Sequence, residues 1–510
     1  MSTENRFNLI DEPWIPIVDV GRVSLRQVFS NPEYRALGGN PVQKISLTKL
    51  LLAIVQSAGT PEDDEDWAAL DSGGLATKCL EYLDQWHDRF YLYGERPFLQ
   101  IPNLKNDIQN EKEKSPVPIG YSYYPSLPSV TATLLTQSSI LREIDLAEQA
   151  MFLITQLNMS LRSSAVIKQI AGRSPISCTT SGPGVGNSFG YVHSYLAGRF
   201  LQETLWMNVM TRQFIGQTVN WTCGLGSPPW EHDWQSRNSE YTDSLASSYL
   251  GCLVGMSRFM LLEDSKIFFS EGLQYPSCKD GWYEPSISIE IAGNGRRPLL
   301  LNVNKKPWRE LTALLSFLNT AGQDGYNCAQ LRVGISRLKS YAHPIGIWSG
   351  GLKVTSSMKD QKCRGEDDLI ESIVNLPSPA YLTGSGSSWF GSFTREMKHL
   401  EENSQKLAAA VYQCNRREIR DSKERDKRAD SLKRKAQDLY WQLCERQFQK
   451  LVTHSDDAEM VFQLRNSFAS FAYKAYDTYC PMDTARQIDA WAKNRPNLSK
   501  YLKDAMKDAA

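Results

Sequence analysis

The residues able to do acid–base or metal chemistry are few and dispersed. Six histidines stand at positions 87, 193, 232, 343, 399 and 454. None forms an H-x-x-x-H pair, and the two His-Asp dipeptides, His87-Asp88 and His232-Asp233, have no further histidine or cysteine at metal-ligand spacing. Ten cysteines (79, 178, 223, 252, 278, 328, 363, 414, 444 and 480) are scattered and never occur as C-x-x-C, which argues against a zinc knuckle or a disulfide framework and for reduced thiols, mostly filling cores. Gly182-Pro183-Gly184-Val185-Gly186 could cradle a phosphate, but it lacks the G-K-[ST] ending of a P-loop and the G-x-G-x-x-G frame of a dinucleotide site, so a flexible turn is the simpler reading. No serine is read as a nucleophile at a strand-to-helix elbow, and no cysteine has company that would activate it. Asp63-Asp64-Glu65-Asp66 reads as an exposed acidic loop. The expectation is a binding or scaffold protein with no catalytic residues, metal or cofactor.

One segment could meet phosphates. Asn415 to Lys435 carries Arg416, Arg417, Arg420, Lys423, Arg425, Lys427, Arg428, Lys433, Arg434 and Lys435 against five acids, ten against five. Two readings stay open: a solvated helix laced by opposite charges three and four residues apart, or a track for DNA phosphates. The whole chain offers no steering, since 57 basic and 57 acidic residues give a formal net charge of zero. Binding to DNA must come from local patches, which suits a subunit of an assembly better than a free-standing DNA-binding protein.

The elements around these residues fall into two textures. A chain of 510 residues exceeds what one core of roughly 250–300 residues can organise, so two domains are expected. Residues 1–377 mix short strands, helices and Gly/Pro/Ser turns, an α+β pattern. Phe7 to Ile17, with two prolines, suits an edge strand. Ser46 to Gln56 reads as a helix capped by Ser46, and Asp145 to Leu161 and Gly198 to Thr211 read as helices. Segments without periodicity lie between: 103–118, 126–139, 171–190, 222–239 and 349–368; loops this long are as a rule functional or disordered, and surface loops without a task are the alternative for each. Residues 378–510 change to apolar stripes at three- and four-residue steps. Trp389/Phe390, Phe393, Met397, Leu400, Leu407, Val411 and Cys414 mark one helix, Leu432 to Leu451 a second, and Val461 to Ala475 a third capped by Ser455 or Asp456. A fourth runs from Thr484 and is interrupted at Pro496. An antiparallel four-helix bundle is the expected packing. No stretch approaches the roughly 20 apolar residues of a membrane span, and the polar start lacks a signal-peptide pattern, so a cytoplasmic protein with no membrane partner is expected.

The motifs FNLIDEPWIPI (7–17), VSLRQVFS (23–30), NPVQKISLTKLLLAI (40–54), FYLYGERPFLQ (90–100), AGRFLQETLWMNVM (197–210) and SPPWE (227–231) follow one another in an order that resembles the large subunit of type I-E Cascade, the CasA family. The helical carboxy-terminal region matches the family's arrangement too, so the resemblance covers essentially the whole chain. It implies a non-catalytic subunit of a crRNA-guided surveillance complex that recognises the motif beside a target in double-stranded DNA, promotes duplex opening and R-loop formation, and helps recruit a helicase-nuclease. The implied partners are the backbone and small subunits, crRNA, target DNA and the helicase-nuclease. Base pairing then reads the target, while the protein reads only the adjacent motif. The family reads it from the minor groove, whose degenerate pattern tolerates several motifs.

Carried over by position, the family's wedge falls on the turn Gly350 to Met358, where Lys353, Thr355, Ser356 and Ser357 stand and Ser356 occupies the place of the family's glutamine. A plain Ser/Thr turn is the alternative. The lysine finger falls on Lys279, and the glycine loop on Lys168 to Pro175 with Gly172 and Arg173, Gly182 to Gly186 being the rival. The loop that touches neighbouring subunits and the guide's 5′ handle falls on Thr131 to Thr136, including Thr133, Leu134, Leu135 and Thr136, where a buried strand is equally compatible. A scaffold subunit of another CRISPR effector that reads no motif, and an enzyme with a cryptic site, are the competing functions.

Overall fold

The computed structural model describes residues 4–102, 104–107, 116–119, 143–159, 190–233, 240–256, 258–273, 275, 284–292, 295–318, 325–341, 343–356, 361–362, 368–383, 388–416 and 422–508. The chain divides into two units, and the division is not a single cut. The first comprises 1–308, 324–337 and 346–373; the second comprises 309–323, 338–345 and 374–510. Two short segments that precede the expected boundary at 377/378 thus belong with the carboxy-terminal helices.

The first unit is α+β, combining helices with small two- and three-stranded sheets. Its central helix, Pro41–Gly59, starts where the sequence chemistry is strongest. The Asn40 side chain accepts from the Gln43 N–H, the Gln43 side chain accepts from the Asn40 N–H, and Pro41 fills the first turn, where a missing N–H loses no bond. The cap expected at Ser46 is therefore too late; its hydroxyl bonds back to the Val42 carbonyl inside the helix. Apolar residues surround most of this helix, so it runs buried through the unit.

Other expectations are corrected by local chemistry. Asp63 to Asp66 is a helix start rather than a loop. The Asp63 carboxylate accepts from the Glu65 and Asp66 N–H groups and opens the helix Asp64–Gln85, whose first turn gathers acids where the helix dipole favours them. Phe7 to Ile17 is not one edge strand. Arg6–Asn8 pairs with Tyr91–Tyr93, Ile15–Ile17 pairs with Gly21–Val23, and the intervening turn is fastened by the Trp14 indole donating to the Leu9 carbonyl. Gly198 to Thr211 gives the helix Leu201–Asn208, after which Thr211 caps a second, Arg212–Gln217; Asn208 ends the first by bonding both backbone groups of Leu196. The helix Leu146–Met159 begins after Asp145, which accepts from the Glu148 N–H.

The second unit is helical. Trp389–Asn415, Ser422–Thr453 and Ala458–Tyr479 are the long helices, and the fourth element is two, Ala485–Asn494 and Ser499–Asp508, separated at Pro496. The first two run antiparallel. Their cross-links progress from Trp389 with Val452, through Leu400 with Tyr440, to Ser404 with Gln437, so numbers rise in one helix as they fall in the other. Every residue of the first predicted stripe except Phe390 is buried. The third helix is capped by Asp457 rather than Ser455 or Asp456, because Asp457 is the residue whose carboxylate reaches the Met460 N–H. Thr484 caps the next, with Gln487 completing a capping box.

Candidate nucleic-acid interface

Several segments expected to touch nucleic acid are rooted at one place in the first unit. The helix Leu146–Met159 ends ahead of the stretch 160–189 that holds the expected glycine loop at Lys168 to Pro175 and its rival at Gly182 to Gly186, and its Met159 is buried against Val42, Ile45 and Leu352. Where that segment returns, the Gly190 N–H donates to the Leu352 carbonyl at 2.9 Å. The strand that follows, His193–Ala197, pairs with Ile345–Leu352, the strand leading into the expected wedge, with Ser194 opposite Ser349 and His193 opposite Gly350. Met159 and Gly190, which flank the stretch 160–189, therefore both meet Leu352, in the segment Gly350 to Met358 expected to be the wedge.

The described residues that follow the expected lysine finger at Lys279 join them. The Ser194 N–H donates to the Ser286 carbonyl at 2.7 Å, and His193 bridges to Ile287. Around this junction lies a closed polar cluster. Lys49 Nζ of the central helix is 2.7 Å from Glu284 Oε2, each side chain 1% exposed. Ser286 Oγ donates to Glu284 Oε1 at 3.0 Å. His193 Nδ1 is 2.9 Å from that hydroxyl, whose hydrogen is already given to the carboxylate, so the ring nitrogen is the donor. Ser194 and Ser349 share a hydroxyl–hydroxyl bond at 2.8 Å. Burial pushes the Glu284 carboxyl up, but the neighbouring Lys49 ammonium and His193 outweigh it and hold the group below its ordinary value. All six residues are buried.

The segment expected to form the wedge turn begins inside a strand. Gly350 and Gly351 lie within the strand Ile345–Leu352. They are needed for close approach: a Cβ on Gly350 would sit 2.8 Å from the Ile370 carbonyl oxygen, and one on Gly351 2.7 Å from that of Tyr191. Lys353 is half-buried and donates its N–H to the Asp368 carbonyl. A hairpin follows, Thr355–Ser356 pairing with Gln361–Lys362. Ser357, Lys279, Gly172, Arg173, Thr133, Leu134, Leu135 and Thr136 lie outside the described residues, as do Arg417 and Arg420.

In the second unit the charge-dense stretch is mostly the start of the helix Ser422–Thr453 rather than a link. Arg416 Nε lies 3.2 Å from Asp426 and its guanidinium faces the Tyr412 ring; Arg425 reaches the same carboxylate, and Lys433 pairs with Asp430. Lys427, Arg428, Arg434 and Lys435 are exposed and outside these pairs. They stand one heptad apart in two couples and so share a helix face.

No group of three or more His, Cys, Asp or Glu among the described residues could hold a metal ion. His87 Nε2 is 2.6 Å from Asp11, and Asp233 accepts from Arg89, so both His-Asp dipeptides are engaged in ordinary polar contacts. One further motif is present: Gly186-Asn187-Ser188-Phe189-Gly190 has G-x-S-x-G spacing, and its first four residues lie outside the described residues. A nucleophile elbow turns from strand into helix, and the first element described after Gly190 is the strand His193–Ala197. The GERPFLQ and SPPWE motifs form a packing unit in which Phe98 stacks on Phe90 and Trp230, beside a cavity of about 350 Å³. Six of the seven cysteines described are buried, and none of the described helices is long and apolar enough to cross a membrane.

These features define a class: a two-unit α+β protein whose second unit is helical and whose first unit holds a buried polar cluster. Residues 8–477 match the family model of CRISPR-associated protein Cse1, and the chain belongs to that family. A stretch of 118 residues is 35% identical to the CRISPR-associated protein CasA/Cse1 of Thermus thermophilus, covering 21% of this chain and 23% of that protein. The fold resembles that of Thermobifida fusca Cse1 (TM-score 0.74, 18% identity, 100% of both chains) and of Thermus thermophilus CasA (TM-score 0.71, 20% identity, 98% and 100% of the two chains). It also resembles a chain of a CRISPR RNA-guided surveillance complex, with a TM-score of 0.62 at 15% identity over 96% of this chain and 99% of that one.

Proposed function

We propose that this chain is the large, non-catalytic subunit of a type I-E Cascade, which reads the motif beside a DNA target and helps open the duplex so that guide RNA can pair. Its partners in this reading are the backbone and small subunits, crRNA, double-stranded DNA and the helicase-nuclease it helps recruit. The observation that supports the reading is the pairing of His193–Ala197 with Ile345–Leu352 and the bond from Ser194 to Ser286, which bring together the described residues flanking the stretches expected to hold the glycine loop, lysine finger and wedge. Groups that read one short motif must reach the same few base pairs, and segments sharing a rigid base are able to do so. The exposed cations of the Ser422–Thr453 helix supply a sequence-independent phosphate contact in this scheme.

The wedge gives the test. A turn inserted beside the motif must offset unstacking of roughly a few kcal/mol per step, and R-loop exchange is otherwise nearly balanced. Replacing Thr355, Ser356 and Ser357 together by glycine is expected to leave assembly intact and slow R-loop formation on linear duplex. A duplex mismatched beside the motif restores the rate, because its strands are already apart. Parental speed on linear duplex would remove the wedge assignment and favour a scaffold subunit that reads nothing.

A further inference from the structure

The polar cluster at the junction is joined more tightly than burial requires. Lys49, Glu284, Ser286, His193, Ser194 and Ser349 come from four separate stretches of chain, yet none is more than 2% exposed. Two full charges in such a place are an expensive way to fill space, since apolar side chains of similar volume often do as well or better. What the ionic version adds is direction. Lys49 meets one carboxylate oxygen at 2.7 Å and Ser286 the other at 3.0 Å, while His193 and Ser194 both hold Ser286. Sliding any strand by one residue would strand a buried charge or hydroxyl without its partner. Glu284 and Pro285 are fixed on further sides, by the Cys252 thiol donating to the carboxylate and the Gln330 N–H donating to the Pro285 carbonyl.

We infer that the Lys49–Glu284–Ser286–His193 cluster, extended through Ser194 to Ser349, is a positioning device that sets the register between the roots of the lysine-finger, glycine-loop and wedge segments and thereby controls motif discrimination. The inference rests on the proposed motif reading. None of the six residues touches DNA; they act through the segments they hold. The role of the central helix Pro41–Gly59 is then to carry Lys49 to the point where three segments meet, with Val42 and Ile45 packing the same junction from its apolar side.

The test uses the assembled complex and measures the ratio of R-loop rates on motif-bearing and motif-scrambled duplex. Lys49→Met with Glu284→Gln removes both charges at nearly constant volume, so folding and assembly are expected to persist. The ratio should fall at least about tenfold, in line with the rate losses of up to about a hundredfold that displacements near 1 Å produce elsewhere. Rates on a duplex already opened beside the motif should stay at the parental value. A ratio held at the parental value, or equal slowing on both duplexes, overturns the inference. If the double variant does not assemble, Ser286→Ala removes only the hydroxyl bridge; a smaller fall in the ratio supports the inference and an unchanged one overturns it. Lys279→Ala and the triple glycine variant run alongside. If they lower the ratio while the double variant does not, the positioning role alone fails. If neither lowers it, the motif reading fails and takes the inference with it.

Discussion

The clearest energetic prediction concerns Glu396 and Arg465 in the helical unit. Arg465 grips Glu396 with two bonds, Nε to Oε2 at 2.9 Å and Nη2 to Oε1 at 2.5 Å, and the two side chains are 1% and 5% exposed. His399 Nδ1 stands 3.6 Å from the same carboxylate, and the Tyr501 ring lies 5.6 Å from the guanidinium. Glu396→Gln keeps the shape and removes the charge, leaving a guanidinium buried without a counter-charge, which is destabilising by about 3–5 kcal/mol. For a unit of this size that corresponds to a midpoint lowered by about 6–20 °C, at roughly 2–4 °C per kcal/mol. Glu396→Leu combined with Arg465→Met removes both charges and should recover most of the loss. Burial pushes the Glu396 carboxyl up, but Arg465 and His399 bring it below its ordinary value. The pair's contribution is therefore complete above the ordinary glutamate pKa of about 4.3 and is lost as pH falls through the lower folded value. Scanning calorimetry of parent, single and double variants between neutral and acidic pH measures this directly. A single variant that melts with the parent at neutral pH, or a double variant that falls as far as the single, would refute the reasoning.

Gly351→Val should destabilise the first unit by about 1–3 kcal/mol in urea unfolding, since its Cβ would lie 2.6 Å from Leu301 Cδ1 and 2.7 Å from the Tyr191 carbonyl. Gly391→Ala, in the helix Trp389–Asn415 with open space around its Cβ, should instead stabilise by about 0.5–1 kcal/mol. Reversing Lys427, Arg428, Arg434 and Lys435 to glutamate should weaken binding of the assembled complex equally across sequences and flatten its salt dependence by about 0.7–0.9 per lost phosphate contact. An unchanged slope in a salt titration would return that face to the solvated-helix reading.

The sequence by itself determined the elements whose signals are local. Buried stripes such as Phe393, Met397, Leu400 and Leu407 were legible because a 3.6-residue period places them on one face whatever packs there. The ordered motifs from FNLIDEPWIPI to SPPWE pointed to the family that the match over residues 8–477 establishes. Local signals misled where two were in competition: Ser46 lost to Asn40 because Pro41 and Gln43 complete the earlier cap, and the acids at 63–66 looked like a loop because a helix start and a polar turn share their composition. Only the tertiary structure decided that 309–323 and 338–345 group with the carboxy-terminal helices, and that Lys49 meets Glu284, 235 residues away. It also moved Gly350 and Gly351 from a turn into a strand. The physical reason is the same in each case: a glycine pair, a lysine or a serine carries no local mark of the backbone or charge that will approach it from elsewhere in the chain, and the closed polar junction exists only once four distant stretches are folded against one another.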